Sequence, residues 1–339
     1  MLQFVPRSIW RSLRTGHALP VRNGQTFQIA DSIPTTYIID PLAGPVLNGL
    51  LWNQIAFEAE CRVGSTGGDI SIQFPSPLPL GIEKSDTVVL DWHLARDAAG
   101  RSIAGPAVLV LDILNGGNLV AGYIAKTLAK NGIHGFVLHM PLTGQRSLAD
   151  GRIDWTAFLP ALRQAAGDAR RGRDLIAALP LVTGPIGIQG TSLGGFVATL
   201  SASIDNAFDP VLLALTGGDV FGVLTTGKMD AARVRQHLLS AGYDDAALRD
   251  WLWQIEPLRV AHRLDANRTW LFSARFDQVV RKIYGQQLAS TIGLGWHHHR
   301  QFAGCHYTCI LGAPRFLSEL VRAIRQRAAV FNSSKAVAS

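Results

Sequence analysis

Gly190-Thr191-Ser192-Leu193-Gly194-Gly195 follows the apolar run Ile186-Gly187-Ile188-Gln189 and precedes a helix-like stretch from Phe196 to Ala202. This is G-x-S-x-G set between a buried strand and a helix, and its reading decides the fold. A sharp turn there lifts the serine onto the top of a sheet. The glycines two before and two after it leave room where a Cβ would strike neighbouring backbone. The helix that starts at the turn offers free N–H groups and partial positive charge to an anion. A plain turn of small residues is the alternative, and the strand–helix setting argues against it. Ser192 is therefore the candidate nucleophile.

Outward from this turn, strands and helices alternate. Ile70, Ile72 and Phe74 alternate with polar residues, a strand signature ended by Pro75. Thr87 to Leu94 reads as a second strand. Ala107-Val108-Leu109-Val110-Leu111 is a continuous apolar run, as expected of a strand covered on both faces. Leu119 to Lys130 reads as a helix stopped by Asn131-Gly132. Phe136-Val137-Leu138 reads as a strand, and Asp154 to about Ala178 as a helix with Asp154 at its N-cap. Val211 to Leu215, Thr269 to Ser273 and Trp296 to Phe302 read as strands, and Phe316 to Ile324 as the apolar stripe of a C-terminal helix. The rhythm breaks between 219 and 266, where helical segments carry Trp251 and Trp253. The pattern predicts an α/β protein with a mostly parallel sheet and helices on both faces. Residues 1–65 are expected as an N-terminal extension packed on the main domain, with Leu51, Ile55 and Ala59 on one helical face. Residues 66–331 are expected as the main domain, and 332–339 as a frayed tail.

The chain has 339 residues, 47% of them hydrophobic and 17% charged, which excludes disorder over most of its length. Lacking a run of about 18 or more apolar residues, it has no spanning helix and is expected not to be an integral membrane protein. The net charge of +7 comes from 26 Arg and 6 Lys against 25 acids. No zinc-finger spacing, RRM motif or basic helix with interleaved aromatics accompanies it, so nucleic acid is not an expected partner. Arg170, Arg171 and Arg173 read as a solvated face. Three cysteines, Cys61, Cys305 and Cys309, do not make a disulfide framework. Arg7, Arg11 and Arg14 are not followed by an apolar segment with a cleavage site, so a cytoplasmic protein is the default expectation. The Arg- and Ser-containing start, without an acid until Asp31, faintly resembles a transit peptide.

A serine is a weak nucleophile without a base, and the base needs a third group to orient it. Asp277 follows the strand Thr269–Ser273, and His306 follows the strand ending near Phe302. Both stand where parallel strands open at their C-terminal ends. Asp219 competes for the acid's place, because it follows the strand Val211–Leu215. Asp277 has the better context, since Gln278-Val279-Val280 behind it looks like a helix start that would fix the carboxylate, whereas Asp219 suits the N-cap of the next helix.

Together, Val108-Leu109-Val110-Leu111, Pro141-Leu142-Thr143-Gly144, the turn around Ser192, Arg275-Phe276-Asp277-Gln278-Val279-Val280 and Gly304-Cys305-His306 resemble the α/β-hydrolase superfamily, over about residues 68–330. They resemble its third strand, the loop after the fourth strand, the nucleophile elbow, the acid turn and the histidine loop. The resemblance implies a mostly parallel eight-stranded sheet, a helical cap over about 219–266, and no cofactor. It implies esterase, lipase, thioesterase or peptidase chemistry on a small-molecule acyl substrate, because the fold does not decide the substrate. Many members carry His-Gly after the third strand. Here Ile113-Leu114 stand there, followed by Asn115-Gly116-Gly117.

The expected mechanism is that of a serine hydrolase cleaving a carboxylic ester or related acyl compound through an acyl-enzyme on Ser192. His306 is the base and Asp277 the orienting acid. Leu193 N–H is the first oxyanion donor, and Leu114 or Asn115 the second. Trp251 and Trp253 are candidates for a substrate wall, with cap core as the competing reading. An acyltransferase, or a non-catalytic binding member of the fold, are the alternatives. His297-His298-His299 invites a metal reading, but alternation along a strand would put at most His297 and His299 on one side, so no metal is expected. Asn115-Gly116-Gly117 lacks the Lys-Ser/Thr of a phosphate loop. Cys305 is a weaker nucleophile candidate than Ser192.

Overall fold

A computed structural model of the chain describes residues 19–64, 67–114, 116–148, 152–308 and 313–338. Its sheet has ten strands: β1 (Gln25–Ile29), β2 (Phe57–Val63), β3 (Ile70–Pro75), β4 (Thr87–His93), β5 (Gly105–Leu111), β6 (His134–Leu138), β7 (Val182–Thr191), β8 (Val211–Ala214), β9 (Thr269–Ala274) and β10 (His299–Phe302). Their order is β1-β2-β3-β4-β6-β5-β7-β8-β9-β10. Pairing is antiparallel from β1 to β6 and parallel from β6 through β10. After β5 the chain steps to one side for β6 and then to the other side of β5 for β7. Such a reversal leaves a crevice at the C-terminal ends of β5 and β7.

The helices cover both faces. Of the helices that concern the site, α1 (Leu119–Lys130), α2 (Phe158–Ala178), α3 (Leu193–Ser203), α4 (Val220–Thr226), α5 (Asp230–Ser240), α6 (Asp245–Trp253), α7 (Lys282–Ile292) and α8 (Ala313–Ala338) follow one another in the chain. The alternation of β5 decides which face each one meets. Val108 and Val110 join Ile124 and Leu128 of α1 and Leu320 and Ile324 of α8 in one core. Ala107, Leu109 and Leu111 join the core on the other face, with α2, α3 and α7.

Residues 19–64 add two strands to the same sheet, β1 at its edge and β2 between β1 and β3, which accounts for ten strands where the family resemblance implied eight. Leu51, Ile55 and Ala59 do not form a helical face: Ile55 is exposed, and Ala59 lies inside β2. The period-two burial of Phe57, Ala59 and Cys61 prevails over the four-residue spacing. At the other end, α8 continues to Ala338 rather than fraying at 332. Ser333 and Ser334 donate their hydroxyls to the carbonyls of Ala329 and Val330 one turn back, at 3.0 Å each.

The arginines of α2 are not a solvated face. Arg170 is 1% exposed and Arg171 6%. Arg170 meets Asp174 at 2.9 Å and Asp205 at 2.7 Å, and donates to Ser32 Oγ at 2.9 Å. Arg171 meets Asp31 at 2.7 Å and lies over the rings of Trp52 and Phe57. Asp31 and Asp205 are far away in sequence, and Asp174, one turn along the same helix, is itself held by Ser32, so composition alone made the segment look wet. Removing one member of a buried pair strands the others in a dry site. Arg170→Met is therefore expected to lower stability by about 3–5 kcal/mol, read as a fall in the urea midpoint. A surface arginine would move it by no more than about 0.5 kcal/mol.

Candidate active site

Ser192 joins β7 to α3 with φ 52° and ψ −116°. A non-glycine residue held there stores on the order of 1–3 kcal/mol of strain. Its surroundings hold it in place: Ser192 N–H donates to Ala214 O of β8 at 2.8 Å, and Gly195 N–H donates to Ser192 O at 2.9 Å. The flanking glycines have separate reasons. A Cβ on Gly190 would run into the Gly194 carbonyl. One on Gly194 would sit 2.5 Å from Leu111 O and 2.7 Å from Asp112 O, and one on Gly195 would sit 2.6 Å from the Thr216 side chain. The turn is thus packed backbone to backbone against the end of β5.

His306 Nε2 lies 3.1 Å from Ser192 Oγ, and His306 Nδ1 lies 2.7 Å from Asp277 Oδ2. An ionised carboxylate only accepts, so Nδ1 carries the proton and leaves Nε2 free to accept from the serine hydroxyl. The Asp277 and His306 side chains are 2% and 9% exposed. The other oxygen of Asp277 accepts from Val279 N–H at 2.8 Å and Val280 N–H at 3.0 Å, which fixes the carboxylate. Arg275 N–H donates to Phe302 O and Phe276 N–H to Gly304 O, both at 2.9 Å, so the two loops are bonded to each other. Asp219 is elsewhere: it is the N-cap of α4 and accepts from Gly222 N–H at 2.9 Å. Buried Glu256 accepts from Asp219 N–H and Val220 N–H at 2.8 Å each, and its burial pushes its carboxyl up.

As the first residue of α3, Leu193 has no intrahelical acceptor for its N–H. Leu114 lines the same cavity as Ser192, while Asn115 lies outside the described residues. Sequence reading passed over Asp112, which directly follows β5. It is 3% exposed, accepts from Ala121 N–H at 3.2 Å and so ties the loop to the first turn of α1; burial pushes its carboxyl up.

A cavity of about 460 Å³ opens over Ser192 and His306. Its walls include Leu252 and Ile255 but neither Trp251 nor Trp253. Trp251 packs against the core, and Trp253 is 56% exposed beneath the Arg259 guanidinium. The tryptophan wall is thus replaced by smaller aliphatic neighbours, Leu252 between the two tryptophans on α6 and Ile255 just past its end. Signals for the actual lining were present as apolar residues at helical spacing, Ala231, Val234 and Leu238 among them. Of the three consecutive histidines, His298 bonds Thr269 O at 2.8 Å and stacks on Trp270, and His299 bonds Ser273 Oγ at 3.0 Å. Among the described residues no three His, Cys, Asp or Glu side chains gather as metal ligands. The Cys305 thiol is held below its ordinary range by the hydrogen bond from Thr308. Cys309 lies outside the described residues. Among the described residues no helix is long and apolar enough to cross a membrane.

No family model matches the chain, and no curated protein does. Solved structures do. The chain is similar to the Pyrococcus horikoshii acylaminoacyl peptidase at a TM-score of 0.54 and 10% identity, over 80% of this chain and 47% of that one. It is similar to a 2,6-dihydroxy-pseudo-oxynicotine hydrolase at 0.53 and 14%, over 72% and 66%. Est1E from Butyrivibrio proteoclasticus aligns at 0.51 and 13%, over 70% of this chain and 95% of that one. This chain therefore spans about half the length of the peptidase it resembles. With the sheet order above, these likenesses give the chain the α/β-hydrolase fold.

A fluorophosphonate probe is expected to label Ser192. Asp277→Asn preserves shape but allows the wrong imidazole tautomer, and should slow labelling by on the order of 10⁴-fold. Asp219→Asn should label normally and alter stability by at most about 1 kcal/mol. Labelling rates, with folding followed by circular dichroism, separate the two acids.

Proposed function

We propose that this protein is a serine hydrolase that cleaves a carboxylic ester or related acyl compound. The supporting observation is the continuous relay from Asp277 through His306 to Ser192, at 2.7 and 3.1 Å, at the floor of an apolar cavity. In this reading Ser192 Oγ attacks the acyl carbonyl as its proton passes to His306 Nε2. The imidazolium is stabilised by Asp277. The tetrahedral oxyanion rests on Leu193 N–H and on an N–H of the loop after β5, Leu114 or Asn115. His306 then returns the proton to the leaving oxygen, and the acyl group stays on Ser192. Water attacks the acyl-enzyme with His306 again as base, releasing the acid and restoring the serine. No step calls for a cofactor. The names of the similar structures, a peptidase and a hydrolase among them, agree with acyl-transfer chemistry to water on this fold.

Turnover of p-nitrophenyl esters tests the reading. Ser192→Ala should remove at least about 10⁴-fold of kcat while leaving the circular dichroism spectrum unchanged, since the side chain stands at a turn rather than in the core. Wild-type turnover in that variant would show that the hydrolysis belongs to another group.

A further inference from the structure

We propose that the site takes esters of long aliphatic acids, with the acyl chain housed in a blind apolar arm formed by α2, α3, α5 and α6. This rests on the serine-hydrolase reading above and adds the substrate class. The cavity over Ser192 runs across the end of the sheet, since its walls come from the cores of both faces. On one side they are Phe158 and Leu162 of α2, Leu200 of α3, Val234 of α5 and Leu252 of α6. These side chains are withdrawn from bulk solvent, and those that keep surface toward the cavity keep little: Val234 is 8% exposed, Leu162 7%, Phe158 6%, Leu252 2% and Leu200 1%. On the other side, toward α1, the wall residues Leu119, Tyr123 and Tyr307 are 79%, 55% and 45% exposed and flank the opening.

An acyl carbonyl at Ser192 therefore has one closed direction and one open one. The alcohol must depart and water must enter, which requires the open side. The acyl chain stays on Ser192 through the intermediate, and the closed side can hold it meanwhile. The chemistry of the closed side selects what fits. Apart from His306, the one charged side chain on the cavity lining among the described residues is Asp230. It is engaged with Arg233 at 3.3 Å and accepts from Tyr307 O–H at 2.6 Å, which places it with the opening. A peptide chain, sugar or charged acid in the closed arm would leave its polar groups without partners. An alkyl chain needs none, and gains from leaving water. An acetyl group would leave the arm unfilled and could not use that binding in the transition state.

The test is kcat/KM for p-nitrophenyl acetate, butyrate, octanoate and dodecanoate at monomeric concentrations, with active sites counted by fluorophosphonate labelling. We expect a rise of about threefold to fourfold per methylene from acetate to octanoate. Leu252→Trp, which fills the arm, should lower the octanoate-to-butyrate ratio by about tenfold or more. Leu252→Ala, which lengthens it, should move the optimum toward dodecanoate. Opposite shifts from one position are not produced by general loss of folding, and either variant alone decides the question if the other fails to fold. Equal turnover of acetate and octanoate by fully labelled enzyme, or a ratio unmoved in the folded variants, overturns the long-chain assignment and leaves the hydrolase reading standing. No labelling of Ser192 and no turnover of any ester overturns both.

Discussion

The site depends on one close backbone approach. Gly194 lies so near the carbonyls of Leu111, the last residue of β5, and of Asp112 after it that no side chain fits between them. That contact sets the nucleophile turn against the loop that follows β5, and it lets Ser192 keep a positive φ that an isolated turn would relax. Two functions follow from the same geometry. The serine is raised off the sheet where a base can reach it. The start of α3 is also set against the end of β5, so that in the proposed reaction the donors an oxyanion needs would be in place before any substrate binds.

The other two members reach the serine through sheet register rather than through local sequence. β9 and β10 pair in parallel, with Ala274 opposite Phe302, and their hydrogen bonding carries on past the strands into the loops. Asp277 and His306 are 29 residues apart, yet each lies a few residues beyond the end of its own strand. A slip of one residue between these strands would turn every side chain to the wrong face and separate the pair. The aromatic packing of Phe272 against Phe302 and Phe316 is one of the contacts that hold this register.

Much of this was legible in the sequence, for physical reasons that can be named. Glycine at 190, 194 and 195, the long apolar runs of the central strands and the stop at Asn131-Gly132 are local signals, and they placed β5, α1, β7 and Ser192 closely. Asp277 and His306 were legible because strand ends are local too. What was not legible depended on partners distant in the chain. Arg170 and Arg171 look like surface until Asp31 and Asp205 are brought to them. β2 looked like part of a helix because its neighbours β1 and β3, which impose a period of two, are not visible from the spacing of Leu51, Ile55 and Ala59. Trp251 and Trp253 misled because size and hydrophobicity do not report which side of a short helix meets a cavity, and here the residue between them does.

α2 connects the end of the sheet that carries Ser192 to its antiparallel edge. It has 21 residues, a span of roughly 30 Å. Its C-terminal half carries the buried arginines, which are held by Asp31, Ser32, Asp174 and Asp205 and so bind the first strands to the body of the sheet. Its N-terminal half carries Phe158, Leu159 and Leu162 into the cavity wall. The ion pairs are a poor source of net stability, because desolvation of the charges offsets much of their attraction. Their geometry is more specific than an apolar contact, however, since a guanidinium held by Asp205 and Ser32, neither of them on α2, tolerates little sliding or rotation of the helix. An apolar core alone would let α2 shift along the sheet at small cost, and any such shift would change the depth of the cavity over Ser192. The buried charges therefore make most sense as a register device: they fix where the far end of the helix stands, and with it the shape of the cavity over Ser192.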